Sequence, residues 1–263
     1  MTAGSSSRAQ REGGTWSRFW ADKQDLDRVY PSSPAVLGAV VAHLGSAPAR
    51  VLEIGSGTGR DTAALAARGH HALALDASFE ALALTARAAP ALVGRGIVGG
   101  DAFHLPFRDA TFDAVFHQGV LEHFGNPAAF LAENYRVTRP GGLLVVDVPQ
   151  RWHPWTALKR AAIRVDRWFA GWETEYSIDE LEALVRRAGY ATVGSYGDTM
   201  VPSLAYRLMR ESAKRLSLEL PLRPRTPARL REARERLRER LLQPRASRWL
   251  AHTIGVVARR PMG

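Results

Sequence analysis

Apolar positions along this chain follow two periods, and the switches between them outline a fold. Arg50-Val51-Leu52-Glu53-Ile54 is a short apolar run halted by a glycine cluster, the pattern of a buried strand entering a tight turn. Further short apolar or alternating runs predict strands over Ala72 to Leu75, Gly96 to Gly99, Phe112 to His117, Gly142 to Val148, Tyr190 to Tyr196 and Thr253 to Ala258. Between them lie stretches of helical period. Asp61 to Arg68 is closed by Gly69, Phe79 to Ala89 by Pro90, and Pro127 to Val137 precedes the most apolar strand. Ser177-Ile178-Asp179-Glu180 reads as a capping box for a helix ending near Ala188, with Gly189 as its stop. Two helices are predicted ahead of the first strand. One carries Trp16, Phe19, Trp20, Leu26 and Tyr30 at helical spacing, and the other covers Pro34 to Leu44. Strands alternating with helices predict an α/β, doubly wound, parallel sheet.

Charge singles out one segment. The net charge of +10 would point to nucleic acid if it were spread over the chain. Val201 to Leu250 alone holds 14 Lys/Arg against 5 Asp/Glu, leaving 22 against 21 elsewhere. This basic stretch lies between the last two predicted strands, so it reads as a helical cap inserted into the domain. Leu230, Ala233, Leu237 and Leu241 share one face there, with Arg and Glu on the others. The expected division is a disordered start over 1–14, a domain over 15–200 and 251–263, and the basic helical cap over 201–250. The start is rich in Ser, Gly and Arg and has no apolar core of a signal peptide. No run approaches the ~18 apolar residues of a membrane-spanning helix. Cysteine is absent, which fits a cytoplasmic protein and removes thiol nucleophiles and Cys-ligated zinc or iron–sulfur centres.

The chemistry gathers at Gly55-Ser56-Gly57-Thr58-Gly59, where a strand meets a helix start. Glycine is needed where φ is positive or a ligand presses on the backbone, and the helix start offers free N–H groups to an anionic group. A dinucleotide fingerprint would need glycine or alanine where Arg60 stands, and a phosphate loop would need a following Lys-Ser/Thr, which is missing.

An acidic residue in the strand followed by G-x-G-x-G resembles the first motif of the class I S-adenosylmethionine (SAM)-dependent methyltransferases. Three more matches follow in order. Leu73-Ala74-Leu75-Asp76-Ala77-Ser78 ends a strand on a carboxylate. Gly100-Asp101-Ala102-Phe103-His104-Leu105-Pro106-Phe107 resembles the third motif, and Phe112-Asp113-Ala114-Val115-Phe116-His117-Gln118-Gly119-Val120-Leu121-Glu122-His123-Phe124 the fourth. Arg136 to Leu144 resembles the loop into the fifth strand. The Leu-Glu-His triplet resembles the ubiquinone- and menaquinone-pathway branch, which includes many small-molecule enzymes.

The resemblance implies a Rossmann-like, seven-stranded, mostly parallel sheet with its last strand antiparallel, and SAM as cofactor. It implies cofactor contacts from Glu53, Gly55, Ser56, Gly57, Gly59, Asp76, Ala77, Asp101, Ala102 and Gln118. Asp76 would take the ribose hydroxyls, Asp101 the adenine amino group, and Gln118 the amino-acid end. Glu53 would either meet the methionyl amine or brace the glycine turn. His123 is the candidate catalytic base, with a packing role as the alternative. No metal is expected. A site from Glu122, His123 and His153 would follow a related E-x-x-E-H pattern, but Gln118 replaces its first acid. Trp152, Trp155, Trp168, Phe169, Trp172 and Tyr176 would either wall in an apolar or aromatic acceptor or pack an accessory helix. Methylation of a small-molecule or lipid-like acceptor, O- or C-linked, with peripheral membrane contact, is the first reading. RNA methylation through the basic segment and a non-catalytic SAM-binding partner are the others. Nucleic acid is disfavoured because the segment has few aromatics for stacking bases.

Overall fold

A computed structural model describes residues 16–21, 34–165, 173–199, 202–221 and 251–263, with 227, 229, 232, 233, 236, 237, 240 and 249. Helices are α1 (Pro34–Leu44), α2 (Arg60–Ala66), α3 (Phe79–Ala88), α4 (Pro127–Val137), α5 (Pro154–Arg164), α6 (Ile178–Arg187) and α7 (Leu204–Arg215). Strands are β1 (Arg50–Ile54), β2 (His71–Asp76), β3 (Ile97–Gly99), β4 (Phe112–Gln118), β5 (Thr138–Pro149), β6 (Ala191–Asp198) and β7 (Thr253–Arg259). Residues 16–21 form a further helical turn.

The strands make one seven-stranded sheet in the order β3-β2-β1-β4-β5-β7-β6. β1 pairs in parallel with β2 and β4, β2 with β3, and β4 with β5. β7 runs antiparallel to both neighbours, β5 and β6. This is the predicted Rossmann-like sheet with its last strand reversed. Alternate residues of each strand enter opposite cores, as the two-residue period requires. Val51, Ala114, Phe116, Leu143 and Val145 pack with Val36 and Val40 of α1 and Leu65 of α2. Leu52, Ile54, Val115, Leu144 and Val146 pack with Phe130 and Leu131 of α4 and Leu181 of α6.

Helix starts follow the sequence. Ser78 accepts from Ala81 N at 3.2 Å and Asn126 from Ala129 N at 3.2 Å, each such cap contributing about 1 kcal/mol. The capping box of Ser177 and Glu180 is complete. α5 has no counterpart among the predicted elements. It is capped by His153 and begins with Pro154, but Arg and Lys interrupt its apolar period. One of these, Lys159, is buried and paired with Glu173.

The order of the sheet reverses at β1 and β4, where the chain leaves β1 in one direction and β4 in the other. A crevice opens at the carboxyl ends of strands at such a switch point.

Candidate functional site

The crevice is floored by the glycine turn. Gly55 N and Ser56 N both donate to Leu75 O, at 2.8 and 3.1 Å, fastening the turn to β2. Gly55, Gly57 and Gly59 have φ of 67°, 55° and 63°, the left-handed region that side chains resist. The glycines also make room for close packing. A Cβ on Gly55 would lie 2.5 Å from Val120 Cγ2, one on Gly57 would lie 2.7 Å from Trp20, and one on Gly59 would strike Thr85. Beneath the turn, Glu53 accepts from Thr62 N at 2.9 Å and from its hydroxyl at 2.5 Å. Burial, and then the neighbouring Asp61, push the Glu53 carboxyl up to about 8. Glu53 thus braces the first turn of α2 and is absent from the cavity wall.

Above the turn lies a cavity of about 250 Å³. Of the ten expected cofactor contacts, Gly55, Asp76, Ala77, Asp101, Ala102 and Gln118 line it, whereas Ser56, Gly57 and Gly59 shape the turn beside it. Asp76 ends β2 with both carboxylate oxygens engaged. Oδ2 accepts from Gly57 N and Oδ1 from Ser78 N, each at 2.9 Å. Burial raises its pKa, opposed by the N–H groups of Ser78, Gly57 and Ala77. Asp101 closes its own turn by accepting from Phe103 N at 2.9 Å, and its other oxygen stands 2.9 Å from His104 Nδ1. That hydrogen bond raises the His104 pKa. Gln118 ends β4 and donates through Nε2 to Asp147 Oδ1 at 3.3 Å. Its Oε1 is sealed from solvent with no hydrogen-bond partner among the described residues, and so is Ser56 Oγ. Buried acceptors of this kind ask for a donor.

His123 lines the same cavity, on the single helical turn Leu121–His123. The ring of Trp16 meets it edge-on at 4.8 Å. Trp16 and Trp20 form the aromatic wall of the cavity together with Phe103 and Phe124. Their spacing of four residues showed one helical face, but nothing in the sequence tied that face to the glycine turn. Of the aromatics expected there, Trp152, Trp155 and Tyr176 are not in the cavity wall. Trp152 is 60% exposed and Tyr176 belongs to the core beside α6, while Trp168, Phe169 and Trp172 lie outside the described residues.

Glu122, His123 and His153 are not gathered into a metal site. Among the described residues no three His, Cys, Asp or Glu side chains are placed to hold an ion. His153 accepts from Trp155 N at 3.1 Å and packs against His252 at 5.3 Å. Glu122 is buried behind Gly119, near the paired Lys159 and Glu173. Burial, then Glu173, raise its carboxyl to about 8. Asp147 is likewise pushed up to about 8, chiefly by burial. None of the described residues of 202–221 reaches the cavity.

Residues 52–146 match the family described as "Methyltransferase domain". The demethylmenaquinone methyltransferase of Thermobifida fusca is 40% identical over 114 residues, which are 43% of this chain and 47% of that protein. The malonyl-[acyl-carrier protein] O-methyltransferase of Methylococcus capsulatus is 37% identical over 108 residues, 40% of this chain and 39% of that one. The chain therefore spans less than half the length of these curated relatives. Among solved structures, the 1,6-didemethyltoxoflavin-N1-methyltransferase of Burkholderia thailandensis, holding S-adenosylhomocysteine, is similar at a TM-score of 0.61 and 20% identity. That likeness covers 99% of this chain and 92% of the other. The [4+2]-cyclase SpnF is similar at a TM-score of 0.58 and 22% identity, covering 91% and 86%. The stretch 52–146, with the glycine turn at the switch point of this sheet, is thus similar to a methyltransferase domain, and the sheet has the fold of these solved structures.

Proposed function

We propose that the chain is a SAM-dependent methyltransferase that acts on a small-molecule or lipid-like acceptor, by O- or C-methylation. The observation that carries this reading is the meeting of the glycine turn, Asp76 and Gln118 in one cavity at the carboxyl ends of β1, β2 and β4. The fold by itself does not carry it, since a [4+2]-cyclase shares it.

The residues present fit the cofactor. Asp76 accepts the ribose hydroxyls in this reading, with its orientation fixed by Gly57 N and Ser78 N. Ala102 and Phe103 offer apolar contact to the adenine, beside Asp101. The unpartnered Oε1 of Gln118, a cavity-wall residue, asks for an N–H donor, which the methionyl ammonium carries. Glu53 serves from behind by holding the N-terminus of α2. When bound, the cofactor supplies a methyl group on a sulfonium, already activated toward a nucleophile. Alignment and exclusion of water are then most of the protein's task. Trp16 and Trp20 exclude water and offer flat apolar surface to an acceptor. His123, the histidine of the cavity wall, is the candidate general base toward a phenol or enol.

The relative named for demethylmenaquinone supports an acceptor with apolar character. A quinol-like acceptor favours a protein that works in the cytoplasm and visits the membrane periphery. No helix among the described residues is long and apolar enough to cross a membrane. The test is transfer of labelled methyl from SAM to quinols, phenols, acyl carriers and total cell extract. Methylation of a small molecule is expected. Tight SAM binding without transfer to any of these would favour a binding partner, and labelled RNA alone would favour an RNA enzyme.

A further inference from the structure

The apolar stripe of α7 points outward. Ala205, Leu208, Met209, Ser212 and Leu216 stand three, four and seven residues apart, hence on one side of the helix. All are exposed, with Leu208 at 50%, Met209 at 51% and Leu216 at 73%. The opposite side carries Arg207 and Arg210, which turn back to the chain and donate to Pro202 O at 3.1 Å and Leu220 O at 3.3 Å. Water-facing apolar residues on a helix mark a surface that another body covers. Further along the basic segment Ala233 and Leu237 are exposed, and so are Arg229, Arg236 and Arg240. Leu230 and Leu241 of that face lie outside the described residues.

We propose that this surface docks on an anionic lipid bilayer, with Leu208, Met209 and Leu216 entering the headgroup boundary. Two features choose this occupant over a second copy of the chain. The segment 201–250 carries a net charge of +9 within a chain otherwise near neutral, so two copies face to face would repel through it. Exposed apolar side chains on a helix within a segment of net charge +9 match a surface that is greasy below and negative above, as in-plane amphipathic helices do. The inference rests on the methyltransferase reading only for its purpose, delivery of a lipid-like acceptor. The docking itself needs no cofactor.

The experiment is flotation of the full chain with vesicles of phosphatidylcholine alone and of phosphatidylcholine with phosphatidylglycerol, at low and high salt. Binding is expected to the anionic vesicles at low salt. Salt should weaken it, because the Debye length contracts from ~10 Å at 0.1 M to ~3 Å at 1 M. Leu208→Glu with Met209→Glu should lower binding at least about tenfold, and Arg236→Glu with Arg240→Glu should abolish its preference for anionic lipid. Melting temperature and S-adenosylhomocysteine affinity, measured on the same proteins, should not move. Equal flotation of parent and variants overturns the proposal. So does absence of flotation with both vesicle types, or a dimer that the Glu variants dissociate. If vesicles bind while S-adenosylhomocysteine does not, the docking surface stands and the methyltransferase reading fails.

Discussion

Asp76 holds the site together before any ligand arrives. Its two oxygens receive Gly57 N and Ser78 N, so one carboxylate links the glycine turn, the end of β2 and the start of α3. Asp76→Ala should therefore lose both its ligand contact and part of the turn's order. A hydrogen bond to a charged group contributes about 1.5–3 kcal/mol, so SAM affinity should fall by roughly one to two powers of ten per bond lost. Calorimetry on a folded variant checks this, and an unchanged affinity would remove Asp76 from the site. Glu122 is likewise a carboxyl that burial pushes up. Its carboxyl is raised to about 8, so between the ordinary carboxylate range and pH 8 the folded state holds a proton that the unfolded state releases. Its contribution to stability is present below pH 4.5 and is lost as pH rises through 8. Glu122→Gln has no proton to release. The fall of stability with pH should flatten by up to about 1.4 kcal/mol per pH unit across that window, read from urea unfolding at a series of pH values. An identical slope in parent and variant would mean that Glu122 is ionised in the folded protein.

At the scale of elements, the strand–turn–helix of β1 and α2 does what its residues dictate. Four buried strand residues deliver the chain to three positive-φ glycines, and Glu53 closes the loop by holding Thr62. Gly57→Val asks a β-branched residue to take φ near 55° and puts its Cβ against Trp20. Such strain costs about 1–3 kcal/mol, which a folded domain can absorb, while the displaced turn should lose SAM. Circular dichroism with a binding isotherm separates the two effects, and normal SAM affinity would show that the turn is not the site. These elements were legible because their signals are local. Glycines, caps and two-residue alternation sit within a few positions of what they control, as with the Ser177 capping box. What stayed hidden depends on distant partners. α5 was masked because buried Lys159 reads as a surface residue until Glu173 stands beside it. Trp16 and Trp20 showed a helical face, but only the folded chain brings that face to Gly57 and His123. Glu53 was left between two roles, and its bonds from Thr62 N and Oγ1, which brace the turn, again come from a partner nine residues away.

Across the whole molecule, the cofactor cavity and the basic segment are separable. The cavity is built from residues 16 to 124, and none of the described part of 202–221 enters its wall. β6 and β7 are antiparallel neighbours, with Asp198 opposite Thr253 at the point where the segment leaves and returns. An antiparallel pair is closed by a loop of a few residues, so the sheet does not need the segment between them. Replacing 203–243 by a short Gly/Ser linker should then yield a folded protein, with β7 still between β5 and β6. SAM affinity should stay within about threefold of the parent, since that is a change of under 1 kcal/mol. If the segment caps the acceptor side, methyl transfer should fall steeply while cofactor binding persists, because water would enter where the acceptor sits. Transfer at the parental rate to a soluble acceptor would confine the segment to docking and leave the acceptor site to Trp16, Trp20 and His123. Loss of SAM binding in a folded, monomeric deletion would overturn the separation itself. It would mean that the arginine-rich insertion shapes the cofactor site from a distance that the contacts within the described residues do not bridge.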